Sequence, residues 1–365
     1  MYVAVKGGEK AIENSYKLLE LERRGPAEVL ELQVKQIQHQ LRLSVAKVMN
    51  EGALYDPELA ALAIKQASGD LLEACFLIRT FRSSLPRLGY SKPMDTLKMR
   101  VKRRISATFK DLPGGQLLGA TYDYTQRLLD FSLLDQKLNT DDEGYFENSS
   151  SPSDVGDTPS VMDILEQENL LQADTPLPGD PDPKDITREP LHFPTDRPTR
   201  LQNLVRSDEG FLLAMAYSTQ RGYGHTHPFA AEIKYGFVSL IIEPEELGFP
   251  IDIADIEVTE CQMINQFAGN KEIAPQFTRG YGLVFGHQER KAMAMSLVDR
   301  SLRARELDEP VESPAQMEEF VLSHSDSLES SGFVQHLKLP HYVDFQSELE
   351  LLRRLRSNHS KEITP

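Results

Sequence analysis

Two histidines five residues apart, in Gly332-Phe-Val-Gln-His336-Leu-Lys-Leu-Pro340-His341-Tyr-Val-Asp344-Phe, are of a type and spacing that can hold a metal ion. Leu337 and Leu339 alternate with His336 and Lys338 as in a half-buried strand, which Pro340 would end. In a straight strand, residues five apart point to opposite faces and lie about 17 Å apart. The pair can therefore share an ion only if Leu339-Pro340 turns the chain. Without a metal, the same letters read as a strand end, a proline turn and an N-capping Asp344 for the next helix. A closed zinc site takes four ligands, so a metal here would borrow the others from elsewhere.

A second chemically dense stretch runs from Met99 to Tyr124. Arg103 and Arg104 precede Pro113-Gly114-Gly115, and Asp123 lies between Tyr122 and Tyr124. Guanidinium groups pair bidentately with phosphate and glycines admit close backbone N–H groups, so the segment suits a polyphosphate. It equally suits a solvated basic face and an ordinary turn, with Asp123 as a local hydrogen-bond acceptor rather than a site carboxylate. The tetrapeptide Arg221-Gly-Tyr-Gly224 recurs as Arg279-Gly-Tyr-Gly282. The two strings read as paired structural turns before they read as a duplicated anion-binding element. Cys75 and Cys261 are the chain's two cysteines and form no CxxC pair, which predicts buried thiols rather than a disulfide or a cluster site.

The elements that would carry these residues follow from pattern. After a short strand at Tyr2 to Val5, the N-terminal third is helical scaffold. Val34, Ile37, Leu41, Val45 and Val48 predict one amphipathic helix ending at Gly52. Asp56-Pro57 caps the next, and Asp70 with Glu73 opens another over Leu71 to Arg82. Strands are expected at Lys234 to Ile242 and Ile251 to Val258, with helices at Asp208 to Tyr217, Glu289 to Arg300 and Phe345 to Arg356. The fold class is α+β: a helical N-terminal region plus a mixed, mainly antiparallel sheet with flanking helices, interrupted by a disordered acidic insertion.

The 365 residues carry a net charge of −16, distributed unevenly. Residues 135–189 contribute −12 and residues 306–329 contribute −8, leaving about +4 on the remainder, which can accept a phosphorylated substrate. No basic stripe with interleaved aromatics points to nucleic acid. No apolar run approaches the length of a membrane span and no basic-plus-apolar leader is seen, so a cytosolic protein is expected. In sequence the chain divides into residues 1–134, mainly helical with the basic, Gly-rich segment, and 135–190, acidic and disordered except for a helical turn at Val161 to Leu171. Residues 191–305 follow as an α+β region with the two Arg-Gly-Tyr-Gly loops, then 306–331, an acidic connection, and 332–365, the histidine segment and last helix.

Taken together, Met1-Tyr-Val-Ala-Val-Lys-Gly-Gly-Glu-Lys, Arg103-Arg104-Ile-Ser with Lys110-Asp-Leu-Pro-Gly-Gly-Gln-Leu-Leu-Gly119, Thr121-Tyr-Asp-Tyr-Thr125, both Arg-Gly-Tyr-Gly strings and the His336 to Phe345 segment resemble the I-subunit family of the bacterial carbon–phosphorus lyase core complex. The likeness spans the chain outside the two acidic segments. It implies G, H and J subunits and ATP-binding-cassette subunits K and L as partners. The reaction implied is a transferase step in which an alkylphosphonate displaces adenine from MgATP, with purine-nucleotide nucleosidase activity for the subunit alone. It also implies a zinc ion on His336 and His341 near another subunit, while the Fe–S radical chemistry belongs to the J subunit. Glycosyl transfer builds oxocarbenium charge at the sugar, for which Asp123 and Asp208 are the candidate carboxylates. Arg103, Arg104, Arg221 and Arg279 are the candidate cations for the triphosphate, and His227 for a phosphate or the leaving purine. The alternative is a non-catalytic structural hub of the same assembly.

Overall fold

The computed structural model describes residues 8–134, 159–173, 183–221 and 227–363. Helix α1 (Gly8–Arg24) precedes four helices, α2 (Val34–Gln40), α3 (Arg42–Gly52), α4 (Pro57–Gln66) and α5 (Leu71–Ser83). Strand β1 (Arg100–Ile105) is followed by α6 (Val161–Gln167), α7 (Arg197–Arg206) and α8 (Glu209–Arg221). A meander of β2 (Phe229–Ile242), β3 (Ile251–Phe267) and β4 (Gln276–Phe285) leads into α9 (Glu289–Leu302), α10 (Glu318–His324), α11 (Ser327–His336) and α12 (Tyr342–Ile363). The described chain forms two compact units, residues 32–325 and a smaller one from residues 8–31 and 326–363. Among the described residues no helix is long and apolar enough to cross a membrane.

In the larger unit the caps fall where the sequence places them. The Asp56 side chain accepts from the Leu59 N–H at 2.9 Å with Pro57 opening α4, and Asp70 accepts from the Leu72 N–H at 2.9 Å to open α5. The single helix expected over Val34 to Gly52 is instead two, because Leu41 leaves helical geometry at φ −112° and ψ 42°. The helical turn anticipated within the acidic insertion is α6. Its Val161, Met162 and Leu165 are buried with Leu112, Ala231 and Ile264, so part of that insertion is packed core. The strand expected at Tyr2 to Val5 lies outside the described residues.

The sheet is antiparallel throughout, in the order β1-β2-β3-β4, with each strand paired to its neighbour in sequence. One face carries Ile233, Cys261, Met263 and Val284 against Leu212 and Ala216 of α8 and Ala292, Met295 and Val298 of α9. The other buries Val101, Val238, Ile256 and Val258, with Tyr55, Leu283 and Phe285 beside them. Both cysteines are buried free thiols, as their sequence context predicted.

The second Arg-Gly-Tyr-Gly string, expected as a loop, lies inside β4. A Cβ on Gly280 would sit 1.9 Å from the Ser296 carbonyl oxygen, and one on Gly282 would sit 2.1 Å from that of Ala292. Two strand residues advance about 6.7 Å and four helical residues about 6 Å, so alternate glycines of β4 meet successive turns of α9. The Gly-x-Gly spacing is therefore the footprint of a helix laid directly on a strand. Of the first string, Gly222 to Gly224 lie outside the described residues.

In the smaller unit the strand expected around Leu337 and Leu339 is instead the end of a helix and the turn that follows it. Asp326 caps α11 by accepting from the Leu328 N–H at 2.9 Å, and the helix runs to His336. Two alternating leucines are too short a signal to distinguish strand from helix end. Pro340 does break the chain, and α12 starts at Tyr342, so Asp344 lies within its first turn rather than at the N-cap.

Candidate functional site

The sheet face toward α9 continues past the apolar core into a polar array. Strand β1 has a bulge between Val101 and Arg103, so Lys102 is the extra residue. The bulge turns both Lys102 and Arg103 toward the face that carries Tyr235, the partner of Arg103 on β2. The Arg103 side chain is 2% exposed, and every edge of its guanidinium is used. Nη2 donates to Asp123 at 2.8 Å, Nε to Glu289 at 2.5 Å, and Nη1 to the Leu118 carbonyl and to the Tyr124 hydroxyl at 3.3 Å. Asp123 is thus tied to a residue 20 positions away instead of accepting locally. Its carboxylate remains about half-exposed, with Arg127 at 3.9 Å on the other side.

Glu289 opens α9, and the turn before it is fixed from three directions. Gly286 has φ +71°, and a Cβ there would lie 2.7 Å from the Ala46 methyl of α3. Its N–H donates to the Glu257 carbonyl at 2.7 Å, and the Asn50 amide of α3 pairs with both backbone groups of Phe285 at 2.8 and 2.9 Å. His287, held by this turn, lies flat on Tyr235 with centroids 4.1 Å apart and 11° between planes. Its Nε2 is 3.1 Å from Glu289 Oε1. The Tyr235 hydroxyl donates to Glu257, which also takes Arg42 at 2.8 Å and Lys102 at 3.4 Å. The array offers a half-exposed carboxylate on a buried cation, an imidazole on a second carboxylate, and two further cations, Arg42 and Lys102, at its edge.

Burial alone would raise the Glu257 carboxyl, but the Tyr235 hydroxyl, Arg42 and Lys102 outweigh it and hold it below the ordinary carboxylate range. Glu289 is likewise raised by burial and lowered further by His287 and Arg103. Burial and the Glu257 charge push the Tyr235 hydroxyl well above its usual range, so it stays a donor. Both carboxyls ionise more readily folded than unfolded. Their contribution to stability is full above the ordinary value of 4.5 and is lost as pH falls from there through the folded-state values. Denaturant unfolding measured across that acid range should show stability falling with pH, and Glu257→Gln should flatten the slope. An unchanged slope would mean that the Glu257 cluster is not formed.

The structure brings Arg103 and Asp123 together and sets Arg104 and Arg279 on the other face of the sheet. Arg104, next in the strand, points to the opposite face, as strand alternation requires. There it pairs with Glu232 at 2.5 Å and donates to the Pro113 and Pro159 carbonyls at 2.8 and 3.0 Å. Arg279 shares that opposite face, bonded to Glu166 and to the Gln172 carbonyl at 2.9 Å. Asp208 precedes α8 and accepts from the Phe211 N–H at 2.8 Å and from Lys47 at 3.0 Å. Burial would raise its carboxyl, but these bonds hold it low, as befits a helix cap. Arg221 ends α8, and His227 is exposed just before β2, its ring 4.9 Å from that of Phe229. Reading the sequence missed His287, Glu289, Tyr235 and Glu257. The string Gly286-His-Gln-Glu289, between a strand and a strongly helical run, was the available signal.

In the smaller unit the break at Pro340 sets the His336 and His341 rings 5.4 Å apart. His336 Nδ1 donates to the Phe333 carbonyl at 2.5 Å and His341 Nδ1 to that of Leu339 at 2.6 Å. Each ring thus keeps the Nε2 lone pair for a ligand role, the tautomer that metal sites fix through such a backbone bond. Among the described residues no cluster of three or more His, Cys, Asp or Glu side chains could hold an ion.

A family model for the bacterial phosphonate metabolism protein PhnI matches residues 1–359. The alpha-D-ribose 1-methylphosphonate 5-triphosphate synthase subunit PhnI of Rhizobium meliloti is 55% identical over 359 residues, covering 98% of this chain and 96% of that protein. Its Escherichia coli namesake is 54% identical over 366 residues, covering 99% of each chain. A putative C-P lyase subunit protein, HtxH, of Stutzerimonas stutzeri is 43% identical over 374 residues, covering 100% of this chain and 98% of that one.

Proposed function

Since this chain belongs to the PhnI family of bacterial phosphonate metabolism proteins, we propose that it serves the carbon–phosphorus lyase complex in the cytosol by transferring the ribose 5-triphosphate moiety of MgATP to an alkylphosphonate, with release of adenine. The observation that carries this reading is the half-exposed Asp123 carboxylate fixed on buried Arg103. As the bond between ribose C1′ and the base loosens, positive charge grows on the sugar. A carboxylate that need not reorganise stabilises that charge best. The phosphonate oxygen then forms the new bond to C1′. Arg103 is saturated by its own carboxylates, so it anchors Asp123, while the more exposed Arg42 and Lys102 are the neighbouring cations suited to the triphosphate. Nucleosidase activity of the isolated chain is the same step with water as acceptor.

The names of the relatives make this chain one member of a multi-subunit complex, and we take the partners to be the G, H and J subunits and the ATP-binding-cassette subunits K and L. Exposed Phe333, Val334, Leu337, Leu339 and Phe345 in the smaller unit support partner contacts there. The donor set of His336 and His341 fits zinc, with the remaining ligands coming from water, substrate or a partner chain. The group would then organise a subunit boundary. His336→Ala and His341→Ala should each lower the zinc content of the purified complex, measured by metal analysis; undiminished zinc would refute their role as ligands.

The test of the transfer is free adenine from the assembled subunits given MgATP and methylphosphonate. Adenine release that does not depend on the phosphonate, or no release, would count against it.

A further inference from the structure

We infer that His287 gives the proton to the departing purine and that Glu289 is its positioning residue; the inference rests on the transfer reading above. The geometry leaves the imidazole one working edge. One face of the ring is covered by Tyr235 at 4.1 Å, and Nε2 is engaged by Glu289 at 3.1 Å. Among the described residues nothing bonds to Nδ1, and the side chain is 24% exposed. A histidine with only a structural duty in so polar a setting would use both nitrogens. Glu289 is kept ionised by Arg103 at 2.5 Å, so Nε2 carries the hydrogen and Nδ1 is the atom that can give and retake a proton.

Glu289 bonds both His287 and Arg103, and Arg103 holds Asp123. The imidazole and the Asp123 carboxylate therefore hang from one buried ion pair. Glycosyl transfer needs two such groups, an anion for the charge growing on the sugar and an acid for the leaving base. The C1′–N bond breaks with its electron pair passing to the purine, and the proton on Nδ1 moves to a purine ring nitrogen. A phosphonate oxygen forms the C1′–O bond, and the proton that the phosphonate loses restores His287. The ligand class is a purine nucleotide whose base presents a basic ring nitrogen.

The assembled complex with His287→Gln should release adenine from ATP roughly 100- to 10,000-fold more slowly in kcat, with KM for MgATP little changed. With an N7-methylated purine nucleoside triphosphate, whose base leaves without taking a proton, the same variant should lose less than about 10-fold. Glu289→Gln, which keeps the shape and removes the charge, should show the same substrate dependence with a smaller loss, and it carries the test if His287→Gln fails to assemble. Equal losses on both substrates would overturn the assignment and leave His287 as scaffold. Absence of base release from either substrate by the unaltered complex would instead defeat the transfer reading itself.

Discussion

Replacing Arg103 with methionine is expected to destabilise the larger unit by about 3 kcal/mol and to abolish adenine release together. The hydrocarbon stem is matched by methionine, so the loss is electrostatic. Glu289, a side chain 14% exposed, would be left as an uncompensated carboxylate, and breaking such a pair typically costs about 3–5 kcal/mol. The lower end applies because Asp123 is half-exposed and can return to water. Adding Glu289→Gln to Arg103→Met should restore part of the stability, since replacing both partners removes the buried charge. Activity should not return with it, because Asp123 would still lack its anchor. Chemical denaturation and an adenine assay on the same two variants separate the effects, and a double variant no more stable than the single one would contradict the pairing.

Gly282→Ala should be among the most damaging single methyl groups that can be added to this chain. The new Cβ would meet the Ala292 carbonyl oxygen at 2.1 Å, and that oxygen belongs to the backbone of α9 and cannot move without the helix. Overpacking ordinarily costs about 1–3 kcal/mol; here the expected loss is at or beyond the upper figure, because lifting α9 from β4 also disturbs Met295 and Val298 in the core. Gly332→Ala is the natural control. Gly332 lies in α11 with open space around it, and alanine there should be neutral or stabilising by up to about 1 kcal/mol. Equal thermal midpoints for Gly282→Ala and the unaltered protein would mean that the helix does not rest on the strand as described.

How much of this was legible in the sequence depended on how local each cause is. Asp56 and Asp70 were readable as caps because a cap is made by a side chain and an N–H two or three residues on. The strands β2 and β3 were readable from apolar runs, though both are longer than their apolar cores, since pairing extends them. Strand β1 was not legible, because Arg-Val-Lys-Arg-Arg-Ile is a strand only where Glu232, Glu289 and Asp123 neutralise its arginines from distant positions. The same alternation sends Arg103 and Arg104 to opposite faces, which a basic cluster read as letters does not reveal. Arg279-Gly-Tyr-Gly282 looked like a turn because glycine pairs usually are, and only the packing of α9 shows why glycine is needed. The turn at Pro340 was legible as a requirement. That it ends a helix rather than a strand was not, since the Asp326 cap lies outside the motif.

The most direct test of the account is adenine release by the assembled subunits supplied with MgATP and methylphosphonate, comparing the unaltered chain with Asp123→Asn. Asparagine keeps the shape and loses the charge that Arg103 positions. Phosphonate-dependent release should therefore fall roughly 100- to 1,000-fold while the complex still assembles. Release at an unchanged rate from the Asp123→Asn complex would contradict the claim that this face of the sheet carries the glycosyl transfer.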